Sequence, residues 1–255
     1  MPWAGPRLAV TLLTAIPLPA PAAAPSRRAA AAAMYWAPVV GLLVGGGCAG
    51  ILLLAEHAGH TGPLLAAALA IGTGAALTRA LHLDGLADFA DGLGSGRPAG
   101  DALEIMRRSD IGPFGVVTVV LTLLIQVSAL ARAQSLGRGP EAIVAAAVTA
   151  RLAITLACRA EVPAARPGGL GALVAGSVSV IWAGVLAAGA LAGAAWTGLA
   201  IGAAGLLAAG VAAGLAVSYA ATALAVRRLG GITGDVLGAV AELAATACLL
   251  VTALS

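Results

Sequence analysis

The sequence contains no lysine: all 14 basic residues are Arg, set against 11 Asp and Glu for a formal net charge of +3. A nucleic-acid-binding surface gathers its basic residues on one face. Here they are scattered singly and in pairs, so nucleic acid is excluded as a partner. Cysteine is scarce as well. Cys48, Cys158 and Cys248 lie far apart, each inside an apolar run. That pattern builds neither a disulfide framework nor a zinc site, and it leaves the three as small buried hydrophobes. Charged residues make up only 10% of the chain and aromatics only 3%. Apolar residues run continuously instead of alternating, which argues against a transmembrane β-barrel. No internal repeat is evident.

What remains is apolar and small. The chain is 60% hydrophobic, contains 35 Gly and has a mean hydropathy of +1.01. Several apolar runs approach the ~20 residues that a membrane-spanning helix needs. Abundant Ala and Gly let such helices approach closely where lipid supplies no hydrophobic drive to associate. The composition therefore predicts an all-α, polytopic integral membrane protein with about 6–8 membrane-embedded helices, residues 1–255 forming a single membrane-embedded domain. Helices are expected near 34–55, 63–82, 113–133, 141–158, 177–193, 199–226 and 236–254, with a turn at 195–198 separating the fifth from the sixth.

Arg sets the orientation. If residues 19–33 are cytoplasmic and the chain alternates, then 83–112, 159–176 and 227–235 are cytoplasmic too. Those four segments hold nine Arg, against Arg132 and Arg138 in the opposite loops. This is a positive-inside bias. The N-terminus supports two readings. Arg7, the apolar residues 8–16 and the Ala run at 22–24 mimic a secretory signal. Alternatively Pro17, Pro19 and Pro21 break an uncleaved segment that enters the membrane partway.

Against this background the stretch HLDGLADFADG, 82–92, is out of character. Asp84, Asp88 and Asp91 have i, i+4, i+7 spacing and fall within roughly 60° of one helix face. Like charges at that spacing repel when all are ionised, so a cation, Arg partners or protonation must compensate. Clustered carboxylates suit Mg²⁺, which commonly bridges protein carboxylates to substrate phosphates. Gly85 and Gly92 would let a phosphate approach the backbone. Beyond them, ALEIMRRSDIGPFG at 102–115 offers a short amphipathic stripe through Leu103, Met106 and Ile111. Arg107, Arg108 and Ser109 are candidate phosphate contacts, although both Arg also serve as topology anchors. Gly112, Pro113 and Gly115 turn the chain into the next helix.

A second site-like stretch is RRLGGITGDVLGAVAE at 227–242. Gly230, Gly231 and Gly234 expose backbone before a helix, where an anionic group binds well. Asp235 and Glu242 share one face of that helix. Asp235 alone reads equally as a helix cap; Glu242, two turns into an apolar segment, is a functional candidate. His57 and His60 read as loop residues beside Glu56. His82, next to the carboxylates, is a candidate for phosphate contact or proton transfer. Arg79 and Arg151 are candidates to neutralise the acids.

Taken together, HLDGLADFADGLGS at 82–95, ALEIMRRSDIGPFG at 102–115 and LGGITGDVLGAVAEL at 229–243 make the chain resemble cobalamin synthase, the adenosylcobinamide-GDP ribazoletransferase family. LTAIPLP at 13–19, APVVGLLVG at 37–45 and ARPGGLG at 165–171 add weaker support, and the match is collinear over nearly the whole chain. The resemblance implies a Mg²⁺-dependent enzyme of the cell's inner membrane, its site on the cytoplasmic side. Such an enzyme joins adenosylcobinamide-GDP to α-ribazole or its 5′-phosphate and releases GMP. On that reading His82, Asp84, Asp88 and Asp91 are catalytic. Asp84, Asp88, Asp91, Asp235 and Glu242 hold metal. Arg107, Arg108, Ser109, Asp110, Gly112, Gly231, Thr233 and Gly234 bind substrate. Membrane lipid surrounds the protein, and self-association stays open. The chain departs from the family pattern at Ala15, before Ile16-Pro17, where Arg is common, and at Arg108-Ser109-Asp110, where the acidic and basic residues are swapped. Two other classes compete: a transporter using intramembrane carboxylates, and a CDP-alcohol phosphotransferase, whose motif has Ala-Arg where this chain has Phe89-Ala90.

Overall fold

The computed structural model describes residues 4–19, 25–57 and 61–254. The expected cleavage-like run at 22–24, Pro21 and His60 lie outside the described residues. The elements in chain order are α1 (Ala4–Leu13), α2 (Arg27–His57), α3 (Pro63–Leu77), α4 (Leu81–Gly94), α5 (Ala99–Ile105), α6 (Pro113–Ser135), α7 (Gly139–Ala157), α8 (Gly169–Val174), α9 (Val180–Ala200), α10 (Ala204–Leu229) and α11 (Gly234–Thr252). The architecture is all-α and polytopic. Among the described residues six helices, α2, α6, α7, α9, α10 and α11, are long and apolar enough to cross a membrane on their own.

Small residues set the spacing of the bundle. A Cβ added to Gly41 of α2 would lie 2.7 Å from the Ala147 carbonyl oxygen of α7, and one on Gly214 of α10 would lie 2.6 Å from the Ala244 carbonyl oxygen of α11. Backbones that close gain van der Waals contact that larger side chains would prevent. α1 is too short to span. It lays Leu8, Ala9 and Leu13 into the core, and the chain leaving it donates from Ala15 N–H to the Leu77 carbonyl at 2.6 Å.

Several boundaries differ from the sequence expectation. The helix expected over 34–55 begins at Arg27 and so includes Arg27 and Arg28. The helix expected over 63–82 stops at Leu77, because Arg79 and Ala80 adopt left-handed conformations (φ 54° and 53°). α4 then leaves at 88° to α3. With a bend that sharp only one of the pair can follow the membrane normal. α3 is uncharged, and α4 carries three Asp. The fifth and sixth predicted helices part at 201–203, where Gly202 is left-handed (φ 73°), and not at 195–198. Finally, of the amphipathic stripe expected through Leu103, Met106 and Ile111, only Leu103 lies within a helix, α5; residues 106–112 form an irregular connection.

The Arg-rich segments meet at one end of the bundle. Arg27 donates to the Ala175 carbonyl at 2.7 Å. The 163–165 segment pairs with the 229–233 turn through Ile232 N–H to Pro163 O (2.9 Å) and Ala165 N–H to Ile232 O (3.0 Å). At the other end Arg138 donates to the Thr252 carbonyl at 2.9 Å.

Candidate active site

α4 crosses the start of α11 at Gly85. A Cβ there would lie 2.7 Å from the Asp235 carbonyl oxygen, and one on Gly238 would lie 3.0 Å from the His82 carbonyl oxygen. Gly85 therefore serves the crossing of two helices as well as lining the cavity beside it. Gly92 likewise admits Met106, whose Cγ would sit 2.6 Å from an added Cβ. This crossing brings Asp84 and Asp235 to one cavity of about 380 Å³.

That cavity joins residues far apart in sequence. Asp84 and Gly85 come from α4, Arg107 from the connection after α5, Arg166 and Gly168–Gly171 from the segment before and within α8, and Ile232–Asp235 from the start of α11. Thr233 caps α11, its hydroxyl accepting from Val236 N–H at 3.2 Å, so Asp235 is released from capping. Asp235 instead accepts from the Arg166 guanidinium at 2.7 Å and from the Thr233 hydroxyl at 3.1 Å. Gly169 stands in the left-handed region (φ 83°), which an L side chain rarely adopts.

A second cavity, of about 200 Å³, opens one helical turn further along α4. Asp88, Asp91, Ser95, Arg108, Asp110 and Gly112 line it, with Ile105, Pro113 and Phe114 as apolar wall. The consecutive Arg107 and Arg108 thus enter different cavities. Asp91 is buried, and both its oxygens are engaged: Oδ2 accepts from Gly112 N–H at 2.7 Å and Oδ1 from Gly115 N–H at 2.9 Å. A carboxylate there complements the unpaired N–H groups and positive end of α6. Asp88 is half-buried.

Several of the sequence candidates stand apart from these cavities. His82 is buried, and its Nε2 finds no partner among the described residues. It faces a small interior space of about 20 Å³ among Leu12, Met34, Ile154 and Leu237. Glu242 accepts from the Gln126 amide at 2.8 Å and faces an interior pocket that also holds Arg151 and Thr78. Ser109 is exposed and lines neither cavity, and Gly231 is buried against the 163–165 backbone. Arg79 is exposed, and among the described residues it pairs with no acid. Among the described residues no three His, Cys, Asp or Glu side chains converge as a metal cage.

The residue that sequence reasoning missed is Arg166, counted there only toward topology. Its one signal was its place in ARPGGLG.

Comparison with known proteins places the chain in a family. A family model described as Cobalamin-5-phosphate synthase matches residues 5–253. A protein of Frankia casuarinae named adenosylcobinamide-GDP ribazoletransferase is 45% identical, over 98% of this chain and 94% of its own length. Proteins of the same name from Bradyrhizobium diazoefficiens and a Nocardioides species are 40% and 38% identical, over 97% and 96% of this chain and 92% and 96% of their own lengths. No solved structure matches the chain. With that match running through all three motifs that build the two cavities, the chain belongs to the Cobalamin-5-phosphate synthase family.

Proposed function

We propose that this chain transfers the phosphate-linked cobinamide of adenosylcobinamide-GDP to α-ribazole or its 5′-phosphate, with release of GMP. One observation carries the reading. Asp84, Asp235, Arg107 and Arg166, drawn from four separate segments, line one cavity at the start of α11. Two guanidiniums and a helix N-terminus suit the oxygens of a diphosphate. The relatives' printed name supplies the donor and acceptor.

Chemically, the acceptor hydroxyl oxygen forms a bond to the cobinamide-bearing phosphorus. The bond from that phosphorus to the bridging oxygen breaks, and GMP leaves with the electron pair. The hydroxyl proton passes to a carboxylate on the Asp84–Asp88 face. Arg107 and Arg166 hold the phosphates and offset the charge that gathers on the leaving group. Arg166 also holds Asp235 in place through its 2.7 Å ion pair.

Mg²⁺ fits the donor set. Asp84 and Asp235 are hard oxygen ligands on one cavity, Asp88 follows one turn on, and Mg²⁺ is commonly held by one or two carboxylates with substrate phosphates completing the sphere. Such an ion, when bound, neutralises phosphate charge and polarises the phosphorus. The protein lies in the cell's inner membrane with both cavities toward the cytoplasm, the side the nine-to-two Arg bias favours.

The test is GMP release. Detergent-purified protein given adenosylcobinamide-GDP, α-ribazole and Mg²⁺ is expected to form GMP and the joined corrinoid in equal amounts. A folded preparation that releases no GMP would overturn the assignment.

A further inference from the structure

We infer that the second cavity is the acceptor's subsite, and that Phe114 is the platform on which the flat heteroaromatic base of the acceptor nucleoside stacks. This rests on the proposed transfer reaction and assigns its two substrates to two places.

Phe114 is one of two Phe in the chain. The other, Phe89, is 4% exposed and packs in the core, whereas Phe114 is 53% exposed. Its exposure is directed by its surroundings. A Cβ built on Gly94 would lie 2.5, 2.7 and 2.9 Å from Cγ, Cδ2 and Cδ1 of Phe114. Distances that nearly equal place Gly94 against a face of the ring, so the last turn of α4 backs the ring while much of it stays uncovered. The ring's backbone is fixed as well. Asp91 grips Gly112 N–H and Gly115 N–H on either side of Phe114, and Pro113 sets φ at the first helical position. A ring held this way stacks a base with little loss of freedom.

The rest of the cavity suits a nucleoside. Ile105 and Pro113 extend the apolar wall, while Asp88, Arg108 and Asp110 offer polar contacts for ribose hydroxyls. Asp88 lies one turn, about 6 Å, along α4 from Asp84. A hydroxyl on the Asp88 side therefore approaches a phosphorus on the Asp84 side from a separate cavity, leaving the first cavity for the departing GMP, as an in-line displacement requires. Arg107 then serves the donor and Arg108 the acceptor.

The test uses the full chain in detergent, with α-ribazole as probe, by both GMP-release kinetics and direct binding. Phe114→Ala is expected to raise the KM for α-ribazole about tenfold or more, in line with the loss of one base–aromatic stack, and to leave the KM for adenosylcobinamide-GDP within about twofold. Phe114→Leu keeps the apolar bulk without the ring and should behave like Phe114→Ala; Phe114→Trp should restore affinity, its emission responding to α-ribazole without donor. Arg107→Gln should raise the donor KM instead. Unchanged acceptor KM in the Ala and Leu variants, or equal rises in both KM values, would overturn the subsite while leaving the reaction intact. Phe114-dependent binding of α-ribazole without GMP release in the wild type would instead overturn the reaction and keep the subsite.

Discussion

The Arg166 guanidinium and the Asp235 carboxylate, 69 residues apart, meet at 2.7 Å on the wall of the larger cavity. Their side chains are 15% and 27% exposed, so the pair is shielded from solvent but open to a ligand. It ties the segment before α8 to the start of α11. It also leaves the remaining guanidinium nitrogens free to meet phosphate.

Removing that guanidinium should weaken donor handling more than folding. Arg166→Gln is expected to lower kcat/KM for adenosylcobinamide-GDP by about 10–100-fold, the range for losing a charge-assisted hydrogen bond. Arg166→Lys should recover only part of it, because an ammonium cannot make the forked contact. Steady-state GMP release at varied donor concentration measures both.

Asp84 and Asp91 should fail in different ways. Asp84 is exposed on the cavity, so Asp84→Asn should abolish turnover and leave the Tm near the wild-type value. Asp91→Ala orphans Gly112 N–H and Gly115 N–H. It should cost about 2 kcal/mol or more of stability and lower the Tm. Thermal unfolding in detergent alongside GMP release separates the two outcomes.

Chelation of divalent ions should stop GMP release, and added Mg²⁺ should restore it. Asp84→Asn and Asp235→Asn should raise the Mg²⁺ concentration giving half-maximal rate. Glu242→Gln should leave that concentration unchanged, since Glu242 faces the interior pocket with Gln126 and Arg151. A shift in Glu242→Gln comparable to that in Asp235→Asn would return Glu242 to the metal set.

Gly85→Ala should separate helix crossing from chemistry. Its Cβ would press on the Asp235 backbone at 2.7 Å, which should cost about 1–3 kcal/mol and displace Asp235. Gly100→Ala in α5 meets nothing within 4 Å and should not lower the Tm. The same two assays resolve the pair.

The spans were legible because run length alone separates a membrane helix from a soluble one. The helical face shared by Asp84, Asp88 and Asp91 was also legible, since it needs only their spacing. The break at Arg79–Ala80 was not: two non-glycine residues in the left-handed region carry no local signature, and the surrounding fold imposes that conformation. Arg166 was hidden because its role depends on a partner 69 residues away. His82 and Glu242 misled for a related reason. A helix packed on several sides has no single apolar face, so their direction could not be read from neighbouring residues.

The sharp bend after Leu77 has a consequence for how the enzyme tolerates its lipid. A helix along the membrane normal answers a thicker or thinner bilayer by tilting, and any ligand carried on it tilts too. Here the 88° bend means that α3 and α4 cannot tilt together as one rod. α4 is held instead where it crosses α11 at Gly85, against the Asp235 backbone. Asp84 and Asp235 sit on the two sides of that crossing, so the spacing of the site's carboxylates follows the tilt of α11, and acyl-chain length becomes a variable of the reaction.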